Sequence, residues 1–176
     1  MNIVLIGYRG TGKSTVAKLV AQRLRYEAVS TDAELVRRAG ATIPELVQRY
    51  GWEPFRDRES EVCRDIGARD RLVIDTGGGA ILREENVRAL KANGLLVWLT
   101  AEVKTIARRI EGDNQRPSLT GTKSFIEEIE EVLRQRLPKY QAAADQEIRT
   151  DELSPSEIAD RVIAAAHSAS ERTTVR

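Results

Sequence analysis

The chain has 176 residues, enough for one domain with a proper hydrophobic core. Lys and Arg total 28 against 27 Asp and Glu, so no global field favours nucleic acid. A single cysteine, Cys63, excludes an internal disulfide framework, and with a single histidine, His167, it argues against a zinc site.

The first predicted element is the apolar run Asn2–Ile6, a buried strand too short for a signal peptide or a membrane span. On that basis the protein is expected to be cytoplasmic, with no membrane partner. Residues Gly7-Tyr8-Arg9-Gly10-Thr11-Gly12-Lys13-Ser14 follow and fit the G-x-x-x-x-G-K-[ST] phosphate-binding loop in full. A helix over Ser14–Leu24 completes the strand–loop–helix context, in which backbone N–H groups gather into an anion-binding concavity. Gly10, Thr11, Gly12, Lys13, Ser14 and Thr15 are therefore nucleotide-binding candidates. Lys13 would reach the β- and γ-phosphates and the Ser14 hydroxyl would bind Mg²⁺, so ATP and Mg²⁺ are the implied cofactors.

Further strands are predicted at Ala28–Thr31, Leu72–Asp75, Leu95–Leu99 and Glu147–Arg149. Helical patterns separate them: Asp32–Ala39, Ile43–Tyr50, Pro54 to about Arg69, Arg83–Ala92 and Val103–Ile110. Thr42 and Glu45 are placed as a capping box with Gly51 as a stop, and Ser124 and Glu127 as a second box opening a helix to about Leu137. Ser154-Pro155-Ser156-Glu157 opens the last helix, with Pro at its first position. Nearly continuous apolar strands alternating with helices imply a three-layer, doubly wound α/β fold on a parallel sheet, with ligands beyond the carboxyl ends of the strands. Glu111–Lys123 is polar and patternless, with Pro117 and two glycines, and reads as a lid. The polar tail from about Ser168 is expected to fray. One domain over residues 1–168 is expected, with the lid at about 111–124, helices over about 32–62 at the ligand edge and a flexible tail over 169–176.

Several residues at the ligand edge carry two meanings. Asp32 can orient or deprotonate an acceptor hydroxyl, bind Mg²⁺ through water, or merely cap a helix. Arg56 shares a helical face with Glu59 and can serve a substrate carboxylate or a solvated ion pair. Gly77-Gly78-Gly79 let the backbone approach a ligand, or form a plain turn. Arg116, in the lid segment, can swing onto the transferring phosphoryl group. Cys63 reads as a packed thiol and His167 as a helix-end residue. No long apolar stripe is left over after core assignment, so a monomer is expected.

Taken together, the GYRGTGKST loop, Asp32 after the second strand, FRDRE at 55–59, GGG at 77–79, RP at 116–117 and RLPKY at 136–140 resemble shikimate kinase, over Asn2 to about Ile163. The resemblance implies a nucleoside-monophosphate-kinase-like P-loop fold with strand order 2-3-1-4-5. It also implies MgATP-dependent phosphorylation of the 3-hydroxyl of shikimate, in aromatic amino-acid biosynthesis. Asp32 would contact the shikimate hydroxyls, Arg56 and Arg136 its carboxylate, and Gly78 and Gly79 would line the pocket. Arg116 would be the lid arginine, and Arg109 would stack on adenine against the loop near Thr150–Pro155. In one place the chain departs from the family, which shows Asp-x-Asp at the second strand where this chain has Ser30-Thr31-Asp32. Asp75, ending the third strand, is expected to take over the metal role beside Ser14, or else to cap the turn before the glycines. A gluconate-type sugar-acid kinase, a nucleotide kinase, a non-catalytic binding protein of the same family and a P-loop switch protein stay open as alternatives.

Overall fold

The computed structural model describes residues 1–111 and 125–174. Its strands are β1 (Asn2–Ile6), β2 (Glu27–Ser30), β3 (Leu72–Asp75), β4 (Gly94–Thr100) and β5 (Gln146–Arg149). All pair in parallel in the order β2-β3-β1-β4-β5, the order implied by the resemblance. The helices are α1 (Lys13–Leu24), α2 (Thr31–Ala39), α3 (Ile43–Tyr50), α4 (Trp52–Gly67), α5 (Glu84–Lys91), α6 (Val103–Ile110), α7 (Phe125–Ala143) and α8 (Pro155–Thr174).

Strand alternation sorts the apolar residues onto two faces. Ile3, Leu5, Val73, Leu95 and Val97 point to one face and pack on Val16 and Val20 of α1 and on Ile158 and Val162 of α8. Val4, Ile6, Ile74, Leu96 and Trp98 point to the other, against Leu35 of α2, Leu46 of α3, Phe55 and Ile66 of α4, Leu90 of α5 and Tyr140 of α7. Covering both faces explains why β1 and β4 read as continuous apolar runs. A third cluster joins Tyr8 of the phosphate loop to Ile106 and Ile110 of α6 and to Ile129 and Val132 of α7. The loop is thereby packed against both helices that flank residues 112–124.

Local signals set several boundaries. Thr42 and Glu45 form the predicted box at α3, with the Thr42 N–H donating to Glu45 at 2.7 Å, and the Gly51 N–H closes the helix on Val47 O at 2.8 Å. At α8 the Ser154 N–H donates to Glu157 at 2.8 Å and Glu157 N–H returns to Ser154 Oγ at 3.3 Å. α4 starts two residues before Pro54, which sits in the first turn where its missing N–H is not needed. Cys63 is fully buried, and burial pushes its thiol up to about 12, consistent with a packed thiol. His167 is exposed on α8.

Two expectations need correction. α7 does not stop at Leu137 but runs through Pro138 to Ala143. An internal proline costs a helix roughly 3 kcal/mol, and here tertiary burial offsets it. Tyr140 and Ala143 lie in the core, with the Tyr140 ring stacked on Trp98 at 5.5 Å between centroids. The second concerns the end of the chain, where α8 continues to Thr174 instead of fraying from Ser168. Ala166 is buried and Ala169 packs beside it, extending the apolar face of the helix. The lid read at 111–124 lies, apart from Glu111, outside the described residues, and so do Arg116 and the Ser124 side of its capping box. Among the described residues no helix is long and apolar enough to cross a membrane.

Candidate active site

The phosphate loop leaves β1 and enters α1 at the carboxyl edge of the sheet. Gly12 caps α1 without a side-chain hydrogen bond, which leaves the first-turn N–H groups to an anion. Lys13 is buried, and its Nζ donates to the carbonyls of Gly7 at 2.8 Å and Tyr8 at 3.0 Å. Thr11 Oγ1 donates to the same Tyr8 carbonyl at 2.8 Å and holds the turn. Ser14 and Thr15 stay exposed at the start of the helix. On the far wall Arg109 of α6 donates to Gly10 O at 3.2 Å, to Thr150 Oγ1 at 3.1 Å and to Thr150 O at 3.1 Å. It therefore bridges the phosphate loop and the segment after β5.

The three glycines after β3 are each occupied by a different candidate side chain. A Cβ at Gly77 would lie 2.6 Å from Asp32 Oδ1 and 3.1 Å from Glu59 Oε1. One at Gly79 would collide with the guanidinium of Arg56. Between them, the Gly78 carbonyl accepts from Arg136 Nη1 at 3.1 Å and from the Tyr140 hydroxyl at 2.7 Å. Gly78 also borders the phosphate loop, since a Cβ there would be 3.4 Å from Gly7 O. The run is thus a close-approach surface that gathers residues from α2, α4 and α7, more than a turn. In α4, Arg56 is 8% exposed and donates to Glu59 at 2.6 Å, with its guanidinium over the rings of Phe55 and Trp52. A solvated ion pair would be open to water, so the surface reading of this pair is set aside. Burial pushes the Glu59 carboxyl up, opposed first by Arg56 and then by Arg136 and Arg83.

Beside the loop, the Ser14 hydroxyl donates to Asp75 Oδ2 at 2.5 Å. Ser30, the in-register neighbour of Asp75 on β2, uses its hydroxyl to cap α2 and accepts from the Ala33 N–H at 3.3 Å. Gly10, Gly12, Lys13, Ser14, Thr15, Asp32, Asp75, Gly78 and Arg109 line one cleft of about 340 Å³. Arg56, Gly79 and Arg136 abut it through the glycine run. The phosphate loop, the Asp32 and Asp75 carboxylates and the guanidiniums of Arg56 and Arg136 thus meet at one sheet edge. The family model for shikimate kinase matches residues 9–167.

The chain belongs to the shikimate kinase family. It is 45% identical over 152 residues to the shikimate kinase of Nitratidesulfovibrio vulgaris, covering 85% of this chain and 86% of that one. It is 41% identical over 173 residues to the shikimate kinase of Syntrophus aciditrophicus, covering 92% and 89%. Among solved structures, shikimate kinase from Acinetobacter baumannii in complex with shikimate superposes with a TM-score of 0.90 at 33% identity, over 96% of this chain and 93% of that one.

Sequence reasoning gave no separate role to Glu59, Tyr140 or Thr31 in this site. Thr31 Oγ1 accepts from the Gly77 N–H at 3.0 Å and pins the glycine run to α2. Glu59, Tyr140 and Thr31 each lie within four positions of a named residue, and that spacing was the only sequence signal for them. Gly79→Ala supplies a direct test of the close approach. Its φ of −100° suits any residue, so the added methyl acts only by displacing Arg56. The expected result is a rise in KM for shikimate of about tenfold, with ADP affinity unchanged by calorimetry. An unaltered shikimate KM would contradict it.

Proposed function

We propose that this protein transfers the γ-phosphoryl group of ATP to the 3-hydroxyl of shikimate, giving shikimate 3-phosphate and ADP, a step of chorismate and aromatic amino-acid biosynthesis. One arrangement carries this reading. Two buried guanidiniums, Arg56 and Arg136, stand on a glycine run that also borders the phosphate loop. Such a pair suits an acceptor that carries a carboxylate and presents a hydroxyl to the loop.

The triphosphate lies on the first-turn N–H groups of α1, and the Lys13 amine turns from the Gly7 and Tyr8 carbonyls to the β- and γ-phosphates. Arg109 and the segment at Thr150 flank the adenine. Arg56 and Arg136 hold the acceptor carboxylate, Gly78 and Gly79 admit it, and Asp32 orients the 3-hydroxyl and receives its proton. Bound Mg²⁺ supplies charge neutralisation on the phosphate oxygens. The donor set fits it: the Ser14 hydroxyl and the Asp75 carboxylate are hard oxygen ligands, few enough to leave places for water and phosphate. Arg116 is read as the lid cation within a single kinase domain over residues 1–168, with the lid at about 111–124. Catalysis on this scheme is positioning plus electrostatic stabilisation.

An acceptor screen tests the assignment. ADP release from MgATP is expected with shikimate and not with gluconate or nucleoside monophosphates. Preferential turnover of gluconate would make the protein a sugar-acid kinase. Binding of shikimate and ATP without turnover would make it a non-catalytic member of the family.

A further inference from the structure

Two carboxylates, Asp32 and Asp75, line the cleft beside the phosphate loop, and they are not equivalent. We infer that Asp75, at the end of β3, is the carboxylate of the Mg²⁺ shell, standing in for the neighbouring strand position held by Ser30, and that Asp32 serves the acceptor alone. The inference rests on the ATP-dependent kinase reading.

Asp75 Oδ2 is already joined to the metal-side hydroxyl, accepting from Ser14 Oγ at 2.5 Å. Mg²⁺ favours one or two carboxylates together with phosphate oxygens and retained waters, and a Ser–Asp pair at the mouth of the loop offers that. Asp32, by contrast, lies against Gly77 with Glu59 beside it, and the next two glycines meet Arg136 and Arg56. Ser30 brings no charge, and its hydroxyl is engaged at the N-terminus of α2.

Register explains how the exchange works. Ser30 and Asp75 are paired across β2 and β3, so they end their strands at the same height. Adjacent strands lie about 5 Å apart, so a carboxylate on β3 is one strand nearer to β1, which feeds the loop. Asp75 is also in register with Leu5 of β1. A carboxylate there repels phosphate unless a cation lies between them, so nucleotide binding should depend strongly on Mg²⁺.

The test reads nucleotide affinity rather than turnover. ADP binding is measured by calorimetry with Mg²⁺ and with EDTA, in the unaltered protein, Asp75→Asn, Asp32→Asn and the double variant Asp75→Asn with Ser30→Asp. The unaltered protein should bind ADP more tightly with Mg²⁺. In Asp75→Asn that advantage should shrink by about tenfold, mostly because metal-free ADP now binds better. The double variant should regain it, and Asp32→Asn should keep it. An unchanged advantage in Asp75→Asn, or its loss in Asp32→Asn instead, overturns the inference. Should the amide variant not fold, Asp75→Ser, which matches the residue at its register neighbour, gives the same reading. Unaltered protein that gains nothing from Mg²⁺ would count against the ATP–Mg²⁺ reading itself, a different outcome from failure of the exchange.

Discussion

Lys13→Ala should lower kcat by roughly 10²–10³-fold, the usual effect of removing one preorganised group that meets developing charge. Its Nζ lies inside the phosphate loop, donating at 2.8 Å and 3.0 Å to the Gly7 and Tyr8 carbonyls. The ammonium is buried and needs only to turn from two carbonyls to two phosphates, with little reorganisation. Alanine keeps the first turn of α1, because it is the best helix former. The fold should therefore persist, and a circular dichroism melt separates lost chemistry from lost structure. The carbonyls left without a cation can relax the loop, so weaker ADP binding is expected alongside the loss of kcat. Normal turnover in Lys13→Ala would remove the loop from the chemistry.

Arg136→Ala should act on the acceptor instead. A charge-assisted contact to a partly desolvated carboxylate contributes about 1.5–3 kcal/mol, which corresponds to a rise in shikimate KM of about 10–150-fold. Arg136 is 9% exposed and fixed by its bond to the Gly78 carbonyl at 3.1 Å, so its fork is set before substrate arrives. Lysine should not restore affinity, since it cannot hold Gly78 and a carboxylate in one plane. The substitution also has a pH signature. Burial already pushes Glu59 up, and Arg136 is one of the cations that oppose it. Without Arg136 the Glu59 carboxyl goes higher still, so it protonates at a higher pH and releases Arg56 sooner as pH falls. Shikimate KM should therefore begin its acid-side rise at a higher pH in Arg136→Ala than in the unaltered protein. Steady-state kinetics across pH read this directly. A KM change confined to ATP would contradict the assignment of Arg136.

Much of this was legible in the sequence because it is local. β1 and β3 fall at their predicted bounds, the glycine-rich loop and the Thr42–Glu45 box form as their spacing implies, and the last helix opens at Pro155 as read. The contacts that make the site are not local. Arg56 reaches Gly79 from another element, and Arg136 bonds a carbonyl 58 positions away. Spacing along the chain carries no record of such meetings, and for Arg136 the family resemblance supplied the expectation. Pro138 shows the opposite limit. Its local signal to end a helix is real, yet the burial of Tyr140 against Trp98 and its bond to Gly78 override it. Glu59 escaped because a carboxylate three residues from an arginine is an ordinary sequence pattern, and only its burial sets it apart.

The most direct measurement is the identity of the product. Unaltered protein, MgATP and shikimate are incubated together, and phosphorus and proton NMR locate the transferred group. One new phosphomonoester on the 3-hydroxyl, formed in step with ADP, is the result the shikimate kinase assignment predicts. Release of ADP with inorganic phosphate and intact shikimate, or phosphate on another hydroxyl, would contradict it.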